Sequence, residues 1–145
     1  MREELKNLKE KVEKLEENSI LSVSNWWGLY NPGRAGTVIT KDKKIYFYTF
    51  YSRSTPFLEE NHIPLESISD GYTLSDLDYD KIIQFIKQEI KNKSYEFRPV
   101  RDSGNRVFGF YKDEYFQYSN SYDSNTGESL YHKVQKLIKS FDIER

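Results

Sequence analysis

The sequence predicts an α+β domain: an antiparallel sheet of about five strands with two amphipathic helices packed on it, preceded by a charged N-terminal helix. Three observations carry this. The 12 Tyr, 9 Phe and 2 Trp gather in strand-like runs at residues 44–51, 107–111 and 115–118. Short polar segments, Lys41-Asp42-Lys43 and Lys112-Asp113-Glu114, join neighbouring runs as hairpins. Each hairpin is followed, later in the chain, by a segment with helical apolar period. A length of 145 residues suits one domain with its own core.

Residues 2–17 read as the first helix. Leu5, Leu8, Val12 and Leu15 form one apolar stripe in a strongly charged segment. In heptad terms Leu5 and Val12 take a, Leu8 and Leu15 take d, and the flanking Glu4/Lys9 and Lys11/Glu16 are opposite in sign. That pattern offers a homodimer seam through Leu5, Leu8, Val12 and Leu15. The alternatives are a stripe packed on the chain's own sheet or a frayed arm, since two heptads are short. Residues 1–18 are thus an N-terminal amphipathic helix and 19–145 a single α+β domain.

Residues 18–25 read as a small, polar boundary, and 26–30 as a short strand. Asn31-Pro32-Gly33 is a turn signature. Residues 37–40 and 44–51 form a hairpin. Its second strand has Ile45, Phe47 and Tyr51 on one face and Tyr46, Tyr48 and Phe50 on the other, as in a strand covered on both sides. Residues 53–70, with Pro56 and Pro64, read as loop with a helical turn. A second helix is capped by Ser75, with Asp78 at N3 and Leu74 able to staple to Tyr79. It buries Tyr79, Ile82, Ile83, Phe85, Ile86 and Ile90. Residues 95–100 alternate as a half-buried strand, with Pro99 marking an edge. Residues 102–105 read as a turn, 106–111 and 115–119 as a second hairpin, and 120–126 as a polar linker. A last helix over 128–141, with Asn125 and Glu128 as its capping pair, buries Leu130, Val134, Leu137, Ile138 and Phe141. The two hairpin–helix segments look alike, which raises a duplicated unit.

Composition narrows the chemistry. The chain has no cysteine, so disulfides, thiolate catalysis and Cys-ligated zinc are excluded. No apolar run is long enough to span a bilayer, and the N-terminus has no secretory h-region. A cytoplasmic protein is expected, and the Lys/Asn/Ile/Tyr bias points to a bacterial one. From Ser54 to Asp80 there are seven acids and no Lys or Arg, a formal −7 that leaves +6 on the rest of a chain with net charge −1. Such asymmetry can steer a basic partner.

Motifs for catalysis are missing. Gly28 and Gly33 have phosphate-loop spacing, but the Lys and Ser/Thr are absent and a strand follows. Arg34 in that loop is left as an anion contact or as a plain turn residue. Asp76, Asp78 and Asp80 start like an EF-hand, but Lys81 and Lys87 stand where Gly and Glu are needed. They are better placed as acids at a helix N-terminus. His62 and His132 are isolated, so no metal ligand set is expected. No nucleophile motif surrounds any serine. The expectation leans against an enzyme, with no catalytic residues and no cofactor.

Two binding surfaces stand out. Trp26, Trp27 and Arg34, with the acidic Glu59, Glu60 and Glu66, form the first, aimed at a protein partner. The second is Arg98, Arg101 and Arg106 among strand aromatics, suited to an anion or single-stranded nucleic acid. Against nucleic acid, no RNP-like motif is present and the chain is slightly acidic. In size, segmental acidity and lack of catalytic motifs the chain is similar to the small bacterial immunity proteins that bind and neutralise a toxin. That resemblance implies a non-enzymatic protein-binding module. A small-ligand or nucleic-acid binder is the alternative, with an enzyme of unrecognised type behind both.

Overall fold

A computed structural model describes residues 3–28, 30–90, 94–99 and 102–143. The chain runs α1 (Glu3–Glu17), β1 (Ser19–Trp27), β2 (Gly33–Thr40), β3 (Lys44–Tyr51), α2 (Pro56–Glu60), β4 (Glu66–Ile68), β5 (Tyr72–Thr73) and α3 (Asp76–Ile90). It continues through β6 (Tyr95–Phe97), β7 (Ser103–Tyr111), β8 (Glu114–Ser119), β9 (Ser121–Asp123) and α4 (Leu130–Lys139). The class is α+β as expected, with a larger sheet. Seven strands form one antiparallel sheet in the order β4-β3-β2-β1-β7-β8, with β5 also on β3. β6 and β9 make a separate two-stranded ribbon. No helix among the described residues is long and apolar enough to cross a membrane.

The sheet is covered unequally. On one face Val23, Ile39, Ile45 and Val107 pack with Ile82 and Ile86 of α3 and Leu130, Val134 and Ile138 of α4. This is the main core, and it uses the stripes expected of both helices, except that the Ile90 side chain lies outside the described residues. On the other face α1 lies over β4, β2 and β1. Leu8 and Val12 are buried there against Val38, Tyr48 and Phe50, with Leu15 and Ile68 alongside. The seam that the heptads offer to a second copy is therefore taken by the chain's own sheet. Burying a side chain of this size gains about 2 kcal/mol, and two charged heptads could not match that packing by pairing in solution. The Leu5 side chain lies outside the described residues.

The central strand is the main correction. Residues 18–25 are not a boundary but most of β1, which pairs with β2 on one side and β7 on the other. Ser19, Ser22 and Ser24 hid it, because they break the apolar alternation. All three are buried, and Ser19 and Ser22 are small enough for Glu16 in the last turn of α1 to reach them. Ser19 Oγ donates to the Glu16 carbonyl at 2.7 Å. Residues 103–105 are likewise strand rather than turn, since β7 starts at Ser103, and Asp102 alone keeps turn backbone (φ 59°). Of the polar linker, 121–123 is β9. Asn120 makes the corner in left-handed backbone (φ 43°), and its side-chain oxygen accepts from the Asn105 amide at 2.8 Å.

Ser75 caps α3 as expected, its Oγ accepting from the Asp78 amide at 3.1 Å. α4 starts later than expected. Its cap is Ser129, which accepts from the His132 amide at 3.0 Å. Glu128 instead meets Lys136 at 2.8 Å.

The duplication fails on handedness. β2 and β7 both run antiparallel to β1, so they point the same way. β3 lies on the far side of β2, and β8 on the opposite far side of β7. Yet α3 and α4 pack on the same face. The two hairpin–helix units are of opposite hand, and no rotation superposes them.

Candidate anion-binding site on the α1 face

Alternate residues of each strand share a face, and the pairing registers set the α1 face out in rows. One row across the sheet is Glu66, Phe50, Arg34, Trp26 and Gly104. The next is Ile68, Tyr48, Gly36, Ser24, Arg106 and Ser119. The third runs Tyr46, Val38, Ser22, Phe108 and Gln117. Arg34 and Arg106 thus stand on either side of β1, one row apart.

Two glycines shape the floor. A Cβ on Gly104 would lie 2.1 Å from the Trp26 ring, and one on Gly36 would lie 2.5 Å from the Tyr48 hydroxyl. The Trp26 ring and the hydroxyl end of Tyr48 each lie against the bare backbone of the neighbouring strand, which a larger residue would forbid. Trp26 stays 39 % exposed. Trp27, the next residue in the strand, points to the opposite face. There it lies against Gly33 and Tyr51, and its Nε1 donates to the Asn31 carbonyl.

Glu16 ends the α1 stripe and reaches between the arginines. Its Oε2 is 3.2 Å from Arg34 Nη2 and 3.5 Å from Arg106 Nη2, and Ser22 Oγ donates to the same oxygen at 3.4 Å. The Glu16 side chain is 10 % exposed and the arginines 27 % and 32 %. Burial pushes the Glu16 carboxyl up from its usual range, and the two guanidinium charges only partly offset this. Arg34 also lies over the Tyr48 ring at 5.5 Å, and Arg106 over Phe108 at 4.1 Å. Beneath them the Ser24 and Tyr48 hydroxyls are buried beside one another, and neither makes a well-formed hydrogen bond. Burial raises the Tyr48 phenol to about 12.

A groove of about 380 Å³ opens beside this cluster, lined by Ser24, Trp26, Arg34, Arg106, Gln117 and Ser119. A second groove follows α1 towards the hairpin end, where Glu13, Glu16 and Glu17 face Phe108, Phe110 and Tyr115. A larger hollow of about 450 Å³ lies along α1 between Lys11, Lys14, Lys41 and Tyr46. Those three lysines are exposed, and point charges on flexible stems do not make a shaped site.

The structure therefore regroups the residues singled out from sequence. Trp26, Arg34 and Glu66 share one row, and Arg106 joins them from the other set. Trp27 does not, because a one-residue step changes face. Glu59 and Glu60 are exposed on α2. Arg98 lies beyond β6, its guanidinium over Tyr122 at 5.1 Å, and Arg101 falls outside the described residues. Glu16, Ser24, Tyr48, Gln117 and Ser119 were missed. One signal was readable: Glu16 continues the four-residue spacing of Leu8 and Val12, which puts a carboxylate on the buried stripe.

A second charged cluster joins α3, the β6–β9 ribbon and α4. Lys133 Nζ reaches Asp123 Oδ2 at 2.8 Å and donates to the Tyr95 hydroxyl at 3.0 Å. Tyr95 donates to Glu89. Asp123 also accepts from Ser94 Oγ at 2.6 Å and from the Asn125 amide at 2.9 Å. These bonds hold the Asp123 carboxyl well below its usual range, that to Lys133 most of all. Burial, with the Glu89 bond behind it, raises the Tyr95 phenol. Among the described residues no group of His, Asp or Glu is placed to hold a metal ion. In comparison with known proteins, the chain matches no family model, no curated protein and no solved structure.

Proposed function

We propose that the chain is a non-enzymatic protein-binding module and that it engages its partner with the open half of the α1 face. The observation that carries this is the unequal cover of the sheet. α1 packs on the β2–β4 side, while Trp26, Arg106, Phe110 and Tyr115 line grooves on the β1–β7–β8 side, with Arg34 of β2 at their border. Trp, Tyr and Arg are the residue types that dominate binding hot spots. The exposed acids Glu59 and Glu60 would add steering towards a basic rim on the partner. Occluding a partner's working surface, as immunity proteins do, needs no chemistry beyond this. The cysteine-free, Lys/Asn/Ile/Tyr-rich composition supports a bacterial cytoplasm as the setting.

A stacking surface for single-stranded nucleic acid is the competing use of the same aromatics. Glu13, Glu16 and Glu17 along the aromatic groove oppose it, since they repel a phosphate backbone. The test is affinity capture with purified wild type, Arg34→Ala, Arg106→Ala and Arg98→Ala, each checked for its fold by circular dichroism. A stoichiometric protein held by wild type and Arg98→Ala, and lost from Arg34→Ala and Arg106→Ala, is the expected result. Retention by all four, or capture of nucleic acid alone, would overturn the proposal.

A further inference from the structure

We infer that Arg34 and Arg106 form a binding site for a single carboxylate, presented by a peptide segment of the partner whose apolar flank lies on Trp26. This rests on the binding-module reading and gives it a ligand chemistry. Four features point to it.

The first is incomplete coordination. Each arginine meets Glu16 through Nη2 only, at 3.2 and 3.5 Å, and both contacts fall on the same oxygen. A guanidinium fork can hold a carboxylate by two short parallel bonds. Glu16 therefore positions both forks and leaves donors for another acceptor. The second feature is charge. Two guanidiniums and one carboxylate leave a single positive charge, which matches a monoanion. A phosphate dianion would meet Glu16 at once, with Glu13 and Glu17 close behind.

The third feature is the floor. Ser24 lines the groove, is 1 % exposed, and its hydroxyl has only the Tyr48 hydroxyl beside it, without a well-formed hydrogen bond. The Tyr48 hydroxyl, over the facing Gly36, is in the same condition. Buried hydroxyls in folded proteins are normally hydrogen-bonded, and an acceptor seated between the arginines would supply what the floor lacks. The fourth is the wall. Trp26 lies flat on Gly104 and offers an apolar platform, while Gln117 and Ser119 stand opposite with amide and hydroxyl groups. A groove of about 380 Å³ has room for one residue and its flank, at the small end of ligand sites.

The experiment follows the indole signals of the intact protein in ¹⁵N–¹H spectra. There are only two tryptophans, so Trp26→Phe assigns both. The probes are phenylacetate, its neutral isostere phenylacetamide, and phenyl phosphate, each titrated near neutral pH. A blocked peptide with an internal Glu and one with a free C-terminal carboxylate then separate the two peptide sources. We expect phenylacetate to shift the Trp26 signal saturably, to leave Trp27 in place, and to outbind phenyl phosphate. Phenylacetamide should not bind. Arg34→Gln or Arg106→Gln should weaken phenylacetate about tenfold, the loss of one charged hydrogen-bonding group. Glu16→Gln, which raises the site charge, should improve phenyl phosphate relative to phenylacetate. No saturable shift, equal binding by the arginine variants, or preference for phenyl phosphate in the wild type would overturn the inference. A partner whose capture depends on Arg34 and Arg106 in spite of such a result would leave the binding module standing and remove only the carboxylate.

Discussion

The two buried charge clusters are alike in composition and opposite in construction. At Lys133 every member is satisfied: Asp123 accepts from Lys133, Ser94 and the Asn125 amide at 2.6–2.9 Å, and Tyr95 bridges Glu89 and Lys133. At Glu16 the contacts are 3.2–3.5 Å long, converge on one oxygen, and stand over two adjacent hydroxyls that make no well-formed hydrogen bond. The first ties α3 and α4 to the small ribbon. The second lies at the mouth of a groove on the open half of the sheet. A polar network that only has to hold elements together reaches full satisfaction. One that is left short of it, where solvent can enter, is what the proposed partner site requires.

That contrast can be broken by substitution. Tyr95→Phe should have the largest effect on stability. It removes the group that donates to Glu89 and accepts from Lys133, and urea unfolding should show a loss of about 1–3 kcal/mol. Glu16→Ala should cost less, about 1 kcal/mol, because Arg34 and Arg106 are partly exposed and turn to water when their partner is removed. If Glu16→Ala proves more damaging than Tyr95→Phe, the assignment of roles is reversed.

The pH dependence should also differ in sign. Asp123 is depressed, so its contribution is present above the usual value of 3.8 and is lost as pH falls below it. Asp123→Asn should flatten the acid limb of a stability–pH curve. Glu16 is raised, so it binds more proton folded than unfolded, and its contribution declines as pH rises above 4.5. Glu16→Gln should remove that decline. Curves from chemical denaturation at stepped pH separate the two.

Tyr48→Phe should be the mildest change. Its hydroxyl lies beside that of Ser24 without a well-formed hydrogen bond, so the variant should stay within about 0.5 kcal/mol of wild type near neutral pH. At alkaline pH the order changes. With the Tyr48 phenol raised from 10 to about 12, wild-type stability is intact below pH 10 and falls through that interval, and Tyr48→Phe should resist that part of the loss.

Much of the fold was legible because local pattern carried it. The period of α3, its Ser75 cap, both hairpins and the two-sided strand β3 follow from residues close in sequence. β1 was illegible because what makes it central is the neighbouring last turn of α1, which demands serines where alternation would place larger apolar groups. The site was legible only in pieces. Arg34 beside Trp26 is local, but Arg106 joins them through the β1–β7 register, and Glu16 through the packing of α1. The spacing of Leu8, Val12 and Glu16 marks the carboxylate as buried, but neither contact partner leaves a mark in short-range pattern. Trp26 and Trp27 show the opposite case: strand period alone assigns them to different faces once both are placed in one strand.

The most direct test of these separate roles is partner capture by Arg106→Gln beside Tyr95→Phe, with a thermal melt on each. Arg106→Gln leaves the closer Arg34–Glu16 pair in place. It should lose the partner while melting near the wild-type temperature, and Tyr95→Phe should melt lower and keep the partner. Capture retained by Arg106→Gln and lost by Tyr95→Phe would contradict the account.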